Sequence, residues 1–564
     1  MMMFMTKFSA KIISLILLSS ILAACIPGSE ATQTSIVEST STLAISQSAE
    51  PTSTLSPETE KRPWWNDVVF YEIFVRSFRD SDGDGIGDFN GITEKLDYLQ
   101  QLGVRGIWLM PIHPSPSYHG YDVTDYYAVN PDYGTMEDFK RLLEEAHQRN
   151  IKVIIDLVLN HTSSQHPWFQ SALTPSGEYH DWYKWSETDP GTFGPWGQTT
   201  WYRASNGLYF YAIFWDQMPD LNYDTEAVQE EAKKMASFWL KEVGIDGFRL
   251  DAVRYLAEDE KLADSAANHA YLEEWGAYYR SVAPQAFTVG EAWTESVNVK
   301  KYTETDREVD AAFNFDLSSA ILYSVEAGNN GRIRLVLRLT IKDFPQQDNA
   351  NFLTNHDMPR VMNQLSQDME KAKAAAGILL TAPGIPFIYY GEEIGMSGGK
   401  PDELIRTPMQ WTNETGAGFT DGTPWEPVNS DFKVINVAKQ TGNNDSLLEG
   451  YRHLIQLRNA RTALRAGKTF VADSNSNKLV AYLRASDDEK LLVVINIDDA
   501  PVTNYKLELS TGPLSGYYNM ISLLDDSRIN PLQSNDKGGF DAYTPLAEIP
   551  PFGVIVIQLT HQQQ

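Results

Sequence analysis

The chain is poor in cysteine, in long apolar runs and in positive charge. Its 564 residues include one cysteine, Cys25, so no disulfide forms within the chain and stability must come from a buried core. The apolar run at residues 12–22 is too short to span a bilayer comfortably. No other stretch reads as a transmembrane helix. Lys and Arg number 46 against 75 Asp and Glu, a formal net charge of −29. That excess excludes nucleic acid and argues against an anionic membrane surface as a direct partner. It suits a soluble protein acting on a neutral or cationic ligand, with much of the acid simply solvated. No obligate protein partner is evident, and there is no convincing internal repeat. What the chain does have is length for more than one domain and 12% aromatic residues.

The N-terminus reads as a targeting segment. Lys7 and Lys11 precede the apolar run, which ends in Leu22-Ala23-Ala24-Cys25. Small residues before a cysteine resemble the lipobox of bacterial lipoproteins. The resemblance implies cleavage before Cys25 and lipidation of Cys25; the alternative is an ordinary secretory signal cut near Ala24. Either route exports the protein, and the first makes it a membrane-anchored lipoprotein on the cell surface or in the periplasm. Residues 26–62 are rich in Ser, Thr, Glu and Pro and cannot bury a core. They read as a disordered tether holding the folded part on the order of 35 Å from its anchor.

From residue 63 onward strand-like and helix-like stretches alternate. Apolar strands are expected at 68–74, 106–110, 152–157, 247–251, 287–291, 311–315, 351–355 and 385–390, with helices at 91–102 and 136–149 among those between them. The fold class is α/β, a parallel (β/α)8 TIM barrel spanning 63–160 and 222–467. Residues 161–221, dense in aromatics and glycine, interrupt it after the third strand and should form a subdomain. From 468 to 564 short alternating strands suggest a C-terminal β-sandwich.

One hexapeptide concentrates the chemistry: Asp246-Gly247-Phe248-Arg249-Leu250-Asp251. Strand residues alternate faces, so Arg249 and Asp251 point the same way. A guanidinium next to a carboxylate favours the charged form, which makes Asp251 a candidate nucleophile. Alone, the pair reads equally well as structure at a sheet edge. In a barrel of this kind, however, chemistry sits at the C-terminal strand ends. There the third strand runs into Asn160-His161, the fifth ends in Glu291-Ala292-Trp293, and the seventh in Asn355-His356-Asp357. Three carboxylates, two histidines and an arginine on one rim are hard to explain as structure alone.

These four segments resemble, in order and spacing, those of the alpha-amylase family of retaining glycoside hydrolases (family 13), over roughly 64–560. The resemblance implies a barrel, an inserted domain B after strand 3 and a C-terminal β-sandwich. It implies Asp251 as nucleophile, Glu291 as general acid/base and Asp357 as the residue that holds ring hydroxyls and favours sugar distortion. Arg249 would support Asp251, His161 and His356 would bind sugar hydroxyls, and Tyr121 would stack on the sugar. Crowding by Asp251 and Asp357, with partial burial, should raise the pKa of Glu291 towards neutrality.

Asp80-Ser81-Asp82-Gly83-Asp84-Gly85-Ile86-Gly87-Asp88 places carboxylates at alternate positions with glycines between, a pattern that wraps a hard cation. It resembles the calcium loop after strand 1 in the oligo-1,6-glucosidase branch. The implied Ca2+ ligands are Asp80, Asp82, Asp84, the carbonyl of Ile86, and Asp88; an acidic turn without an ion is the alternative. Of the tryptophans at 168, 182, 185, 196, 201 and 215, most should fill core and one or two should be sugar platforms.

The segment 218–222, Met-Pro-Asp-Leu-Asn, resembles the signature of a subfamily between oligo-1,6-glucosidases and neopullulanases, often alpha-amylases. Arg406-Thr407-Pro408-Met409-Gln410-Trp411 leans towards alpha-glucosidases. Tyr118, where the glucosidase branch has an Asp that closes around a terminal glucose, favours an open cleft. Ala252, where 1,6-specific relatives carry Val, favours α-1,4 linkages in starch and maltooligosaccharides. An alpha-glucosidase or oligo-1,6-glucosidase, a neopullulanase or cyclomaltodextrinase, a transglycosylase such as a trehalose synthase, and a non-catalytic carbohydrate-binding or transporter-associated protein stay open.

Overall fold

The computed structural model describes residues 63–257, 263–304 and 308–561. Cys25, the expected signal and the tether lie outside the described residues. Eight parallel strands close a barrel: β1 (Phe70–Ile73), β2 (Gly106–Leu109), β3 (Lys152–Leu157), β7 (Gly247–Leu250), β8 (Phe287–Gly290), β9 (Ala311–Phe313), β10 (Asn349–Asn351) and β11 (Ile385–Tyr389). Three short strands intervene between β3 and β7: β4 (Trp185–Ser186), β5 (Trp201–Arg203) and β6 (Tyr209–Tyr211). They form a separate antiparallel sheet in the order β4-β6-β5.

The barrel strands are apolar on both faces because both faces are buried. Phe70, Ile154, Phe287, Val289, Phe313 and Phe387 fill the interior, while Tyr71, Ile107, Val153 and Ile155 meet the surrounding helices. The helix Met136–Gln148 shows how the outer ring is attached. Thr135 and Asp138 cap each other's backbone, and Phe139, Leu142, Leu143 and Ala146 form the buried stripe. The expected helix at 91–102 is instead two, Phe89–Glu94 and Leu96–Leu102, because Lys95 leaves helical geometry between them. The seventh barrel strand lies earlier than the apolar pattern suggests, at Asn349–Asn351. The Asn349 and Asn351 side chains bond each other and the Pro383 carbonyl, so polar residues make a buried strand.

After the barrel come β12 (Lys468–Ser474), β13 (Leu479–Ala485), β14 (Lys490–Asn496), β15 (Val502–Thr503), β16 (Leu507–Leu509), β17 (Tyr517–Ser522), β18 (Leu532–Gln533), β19 (Phe540–Tyr543), β20 (Glu548–Ile549) and β21 (Val554–His561). Eight of them make one ladder, β18-β17-β21-β14-β13-β12-β16-β19, with β15 and β20 paired apart. The sandwich is this ladder folded over: Leu532 of β18 and Phe540 of β19, at opposite ends, share a core with Leu479, Ala481 and Leu483 of β13. The other face of β13 and β14, through Val480, Tyr482, Leu491, Val493 and Ile495, joins the buried cluster of the barrel. The helix Met369–Thr381 approaches β21 so closely that a Cβ on Gly377 would sit 2.6 Å from Val554 Cγ2.

Candidate active site

Side-chain alternation sets a polar layer above the apolar filling of the barrel. Glu72 stands two residues beyond Phe70 and Asp156 two beyond Ile154, so both face inward; Arg249 is paired in register with Asp156. The Arg249 guanidinium is buried and shared. Its Nη1 lies 2.7 Å from Asp156 Oδ1 and 2.6 Å from Asp251 Oδ1, and its Nη2 lies 2.8 Å from Glu291 Oε2. Asp251 and Glu291 therefore grip opposite nitrogens of one cation. The Ala252 amide also donates to Glu291 Oε2 at 3.3 Å. Ala252 has φ +48°, a left-handed conformation that a β-branched residue adopts only with strain.

Burial raises the Glu291 carboxyl to about 7; Arg249 opposes this, and the charges of Asp251 and Asp357 add to it. The buried carboxyl of Asp156 rises to about 6 for the same first reason, with Arg249 again opposing. Trp108 Nε1 and the Tyr121 hydroxyl both donate to Asp156 Oδ2, at 3.1 and 3.2 Å.

His356 and Asp357 arrive from a loop rather than from a strand end, since β10 stops at Asn351. Arg406 holds that loop: its Nε donates to the His356 carbonyl at 3.0 Å and its Nη2 lies 2.8 Å from Asp357 Oδ1. His356 Nδ1 is 2.5 Å from Glu72 Oε1, and its Nε2 is 3.2 Å from Asp357 Oδ2 and 2.6 Å from the Tyr121 hydroxyl. Burial works against a charged ring, but Asp357 and Glu72 outweigh it and lift the imidazole to about 10. Burial likewise disfavours the Asp357 carboxylate, yet His356 and Arg406 hold it well below the usual carboxylate range.

The structure thus brings Asp251, Glu291, Asp357, Tyr121, His161, Arg249 and His356 to one cleft and its floor. Sequence reasoning gave no role to Glu72, Asp156 or Arg406. The available signals were a lone acid inside the apolar stretch Phe70-Tyr71-Glu72-Ile73, an acid inside β3, and Arg406 in a segment quoted only for its resemblance.

The cleft measures 710 Å³. Tyr121 and His161 line it, with Asp251, Glu291 and Asp357. His161 Nε2 is buried without a hydrogen-bond partner among the described residues, an orphan suited to a ligand hydroxyl. Trp196 and Trp215 from the insert and Trp293 from the rim are each about half exposed in the cleft wall. Trp182 is buried, Trp168 and Trp185 pack against the main core, and Trp201 packs against a smaller cluster with Tyr211 and Tyr255. Trp293 stacks on Phe315 at 4.6 Å between centroids, which leaves its other face to the solvent side.

Comparison with known proteins agrees with this geometry. The family model for the alpha amylase catalytic domain matches residues 72–467, and that for the alpha amylase C-terminal all-beta domain matches 470–560. The chain belongs to the alpha-amylase family. It is 42% identical to alpha-amylase 3 of Dictyoglomus thermophilum over 443 residues, 77% of this chain and 86% of that protein. It is 35% identical to an oligo-1,6-glucosidase of Heyndrickxia coagulans over 532 residues, covering 79% and 95%. The crystal structure of an alpha-amylase from H. orenii superposes with a TM-score of 0.76 at 42% identity, covering 87% of this chain and 99% of that one. The protein is accordingly a glycoside hydrolase of the alpha-amylase family.

A second acidic feature of this alpha-amylase family member lies away from the cleft. Asp80, Asp82 and Asp88 offer carboxylate oxygens that all lie within 4.8 Å of one another. Asp84 stands outside that group and accepts from the Ile86 amide at 2.7 Å. Hydrogen bonds from Thr420 and the Gly83 and Gly85 amides hold Asp80 ionised against its burial. Gly85 is required: its φ is +96°, and a Cβ there would sit 1.9 Å from the Thr423 carbonyl oxygen. Three convergent hard oxygens fit a hard divalent cation.

Proposed function

We propose that the enzyme hydrolyses α-1,4-glucosidic bonds of starch and maltooligosaccharides with retention of configuration, as an open-cleft alpha-amylase. The observation that carries this reading is the pair Asp251 and Glu291 on opposite nitrogens of one guanidinium, with the Glu291 carboxyl lifted to about 7. Asp251 attacks the anomeric carbon while Glu291 protonates the departing oxygen; water then releases the sugar, with Glu291 acting as base. This double displacement needs carboxyls about 5–5.5 Å apart, a spacing consistent with one guanidinium bridging both. Arg249 orients the nucleophile, Asp357 and the two histidines hold ring hydroxyls, and Tyr121 offers its ring face to the sugar. Support for an open cleft comes from Tyr118, which lies against Trp425 at 5.4 Å in the place of a closing acid, and from the exposed tryptophans along the wall. Proton NMR of fresh products from maltoheptaose should show the α-anomer first, with several oligosaccharide lengths present early. Initial β-anomer would sink the mechanism, and glucose as sole early product would sink the open cleft.

The oligo-1,6-glucosidase relative, matched over 95% of its length, favours a second reading as an exo-acting glucosidase. Faster turnover of isomaltotriose than of maltotriose would establish it instead.

We also propose that Asp80, Asp82 and Asp88 hold a structural Ca2+, and that the protein is exported and anchored through lipid on Cys25. The cation would stiffen a loop that contributes no group to the cleft. In a host that processes lipoproteins, wild-type activity should partition into detergent and the Cys25→Ser variant should not. Wild-type protein that begins after Ala24 and carries no lipid would refute the anchor.

A further inference from the structure

Glu72 has no task in the reaction outlined above, yet it is a carboxylate inside the barrel, only 2% exposed. Its Oε1 faces Nδ1 of His356 at 2.5 Å, and the His356 ring is wholly buried. On the far side of the ring, Nε2 faces Asp357 Oδ2 at 3.2 Å and the Tyr121 oxygen at 2.6 Å. An ionised carboxylate only accepts hydrogen bonds. A carboxylate against each ring nitrogen favours a donor at both, and a ring bearing two N–H groups is an imidazolium. The Tyr121 oxygen can accept from Nε2 because its own proton has a destination, Asp156 Oδ2 at 3.2 Å. The donors then run outward from His356, to Glu72 of β1 on one side and through Tyr121 to Asp156 of β3 on the other.

We propose that Glu72 is a positioning residue of this site: its buried carboxylate keeps His356 doubly protonated, so that Nε2 stays a donor towards the Tyr121 oxygen and the Asp357 carboxylate beside it. The assignment deepens the hydrolase reading and rests on it only for the role of Asp357. The charged and titratable groups around the ring are Glu72, Asp357, Tyr121, Asp156 and Glu291, with Arg406 on its carbonyl. Around Glu72 stand Tyr389 and Glu392 as well.

The consequence follows from the hydrogen-bond inventory. In Glu72→Gln the amide oxygen still accepts from Nδ1, so the ring stays in place, but one of its two counter-charges is gone. Burial then favours the neutral ring, and Nε2 is the nitrogen that loses its proton. A lone pair then faces the Asp357 carboxylate, acceptor against acceptor. Below neutrality the variant should work nearly as the wild type does. Above it, two protons rather than one must be held, on His356 and on Glu291, so log kcat/KM should fall with a slope near −2 instead of −1. At pH 8 a deficit of about 10-fold beyond that at pH 5.5 corresponds to a one-unit separation of the ring's pKa from the assay pH.

The test joins kinetics with a readout that needs no activity. Full-length protein carrying 15N-histidine, its His356 signals assigned by their loss in His356→Asn, should show both ring nitrogens protonated through pH 8. In Glu72→Gln one of them should lose its proton below that pH. A wild-type His356 that is neutral at pH 7 overturns the proposal, even if the variant fails to fold. Parallel pH profiles for wild type and Glu72→Gln, with unchanged His356 titration, overturn it equally. A protein that shows the predicted titration but hydrolyses no glucan leaves Glu72 in its role and removes the hydrolase reading instead.

Discussion

The alkaline limit of activity should belong to Glu291. The carboxyl stands at about 7 because burial raises it, and the Asp251 and Asp357 charges reinforce burial against Arg249. A general acid works only while protonated, so kcat/KM should track the protonated fraction. With a pKa of about 7, that fraction is about one half at pH 7 and about 1% at pH 9, a fall of about 50-fold in kcat/KM. The perturbation that isolates the group is Glu291→Gln, which keeps the shape and the contact with Arg249 but cannot deliver a proton. Loss of the acid should cost about 10²–10⁴-fold on maltoheptaose. It should cost far less in the first step with an aryl maltoside whose leaving group needs no protonation. The assay is initial rate against pH, in parallel for both substrates and both proteins. If Glu291→Gln keeps an alkaline limb near 7 on maltoheptaose, the limb belongs to another group, and Asp156, lifted to about 6, becomes the first candidate. That outcome would refute the role given to Glu291.

Other consequences can be measured directly. Calcium should raise the melting temperature of the wild type, EDTA should lower it, and Asp82→Ala, which removes an exposed ligand, should abolish the response; an unchanged melting temperature in all three would mean the acidic turn binds no ion. Burial lifts Glu392 to about 8, and its neighbour Glu393 is raised as well. The folded state therefore keeps a proton that the unfolded chain releases near its ordinary carboxyl pKa, and stability should fall as pH rises from about 4.5 through about 8. Glu392→Gln should flatten that fall, so melting curves of the two proteins that stay parallel across this range would contradict the assignment. Trp293→Ala removes an exposed ring from the cleft wall and should raise KM for maltoheptaose about 3- to 10-fold, the worth of one stacking contact, with little effect on an aryl maltoside that does not reach it.

Much of the barrel was legible because its strands are buried on both faces and so read as short apolar runs. The rim was legible because charge at the end of such a run has few structural uses. The register of β10 was not, since Asn349 and Asn351 satisfy each other inside the barrel and no local pattern announces a polar strand without its partners. The following Phe352 and Leu353 drew the expected strand too far along the chain. Glu72 and Arg406 act across 284 and 50 residues of sequence, through contacts with His356, so their roles appear only once the chain is folded. The acidic loop was read correctly as a cluster, but which carboxylates converge depends on loop φ values and on Thr420, far away in sequence. The C-terminal strands were readable as strands, whereas their union in one folded ladder was not, because alternation is identical in either arrangement.

That ladder carries a consequence for the order of events during synthesis. Among the described residues β21 is the last strand, and it lies between β14 and β17 inside the ladder rather than at its edge. Until residues 554–561 emerge, β14 and β17 each present an open edge, and the helix Met369–Thr381 lacks the surface that Gly377 is shaped to meet. A chain delivered from its N-terminus therefore reaches residue 554 with an unfinished seam running from the second domain into the barrel's flank. Until the eight residues of β21 arrive, that seam is open to mispairing.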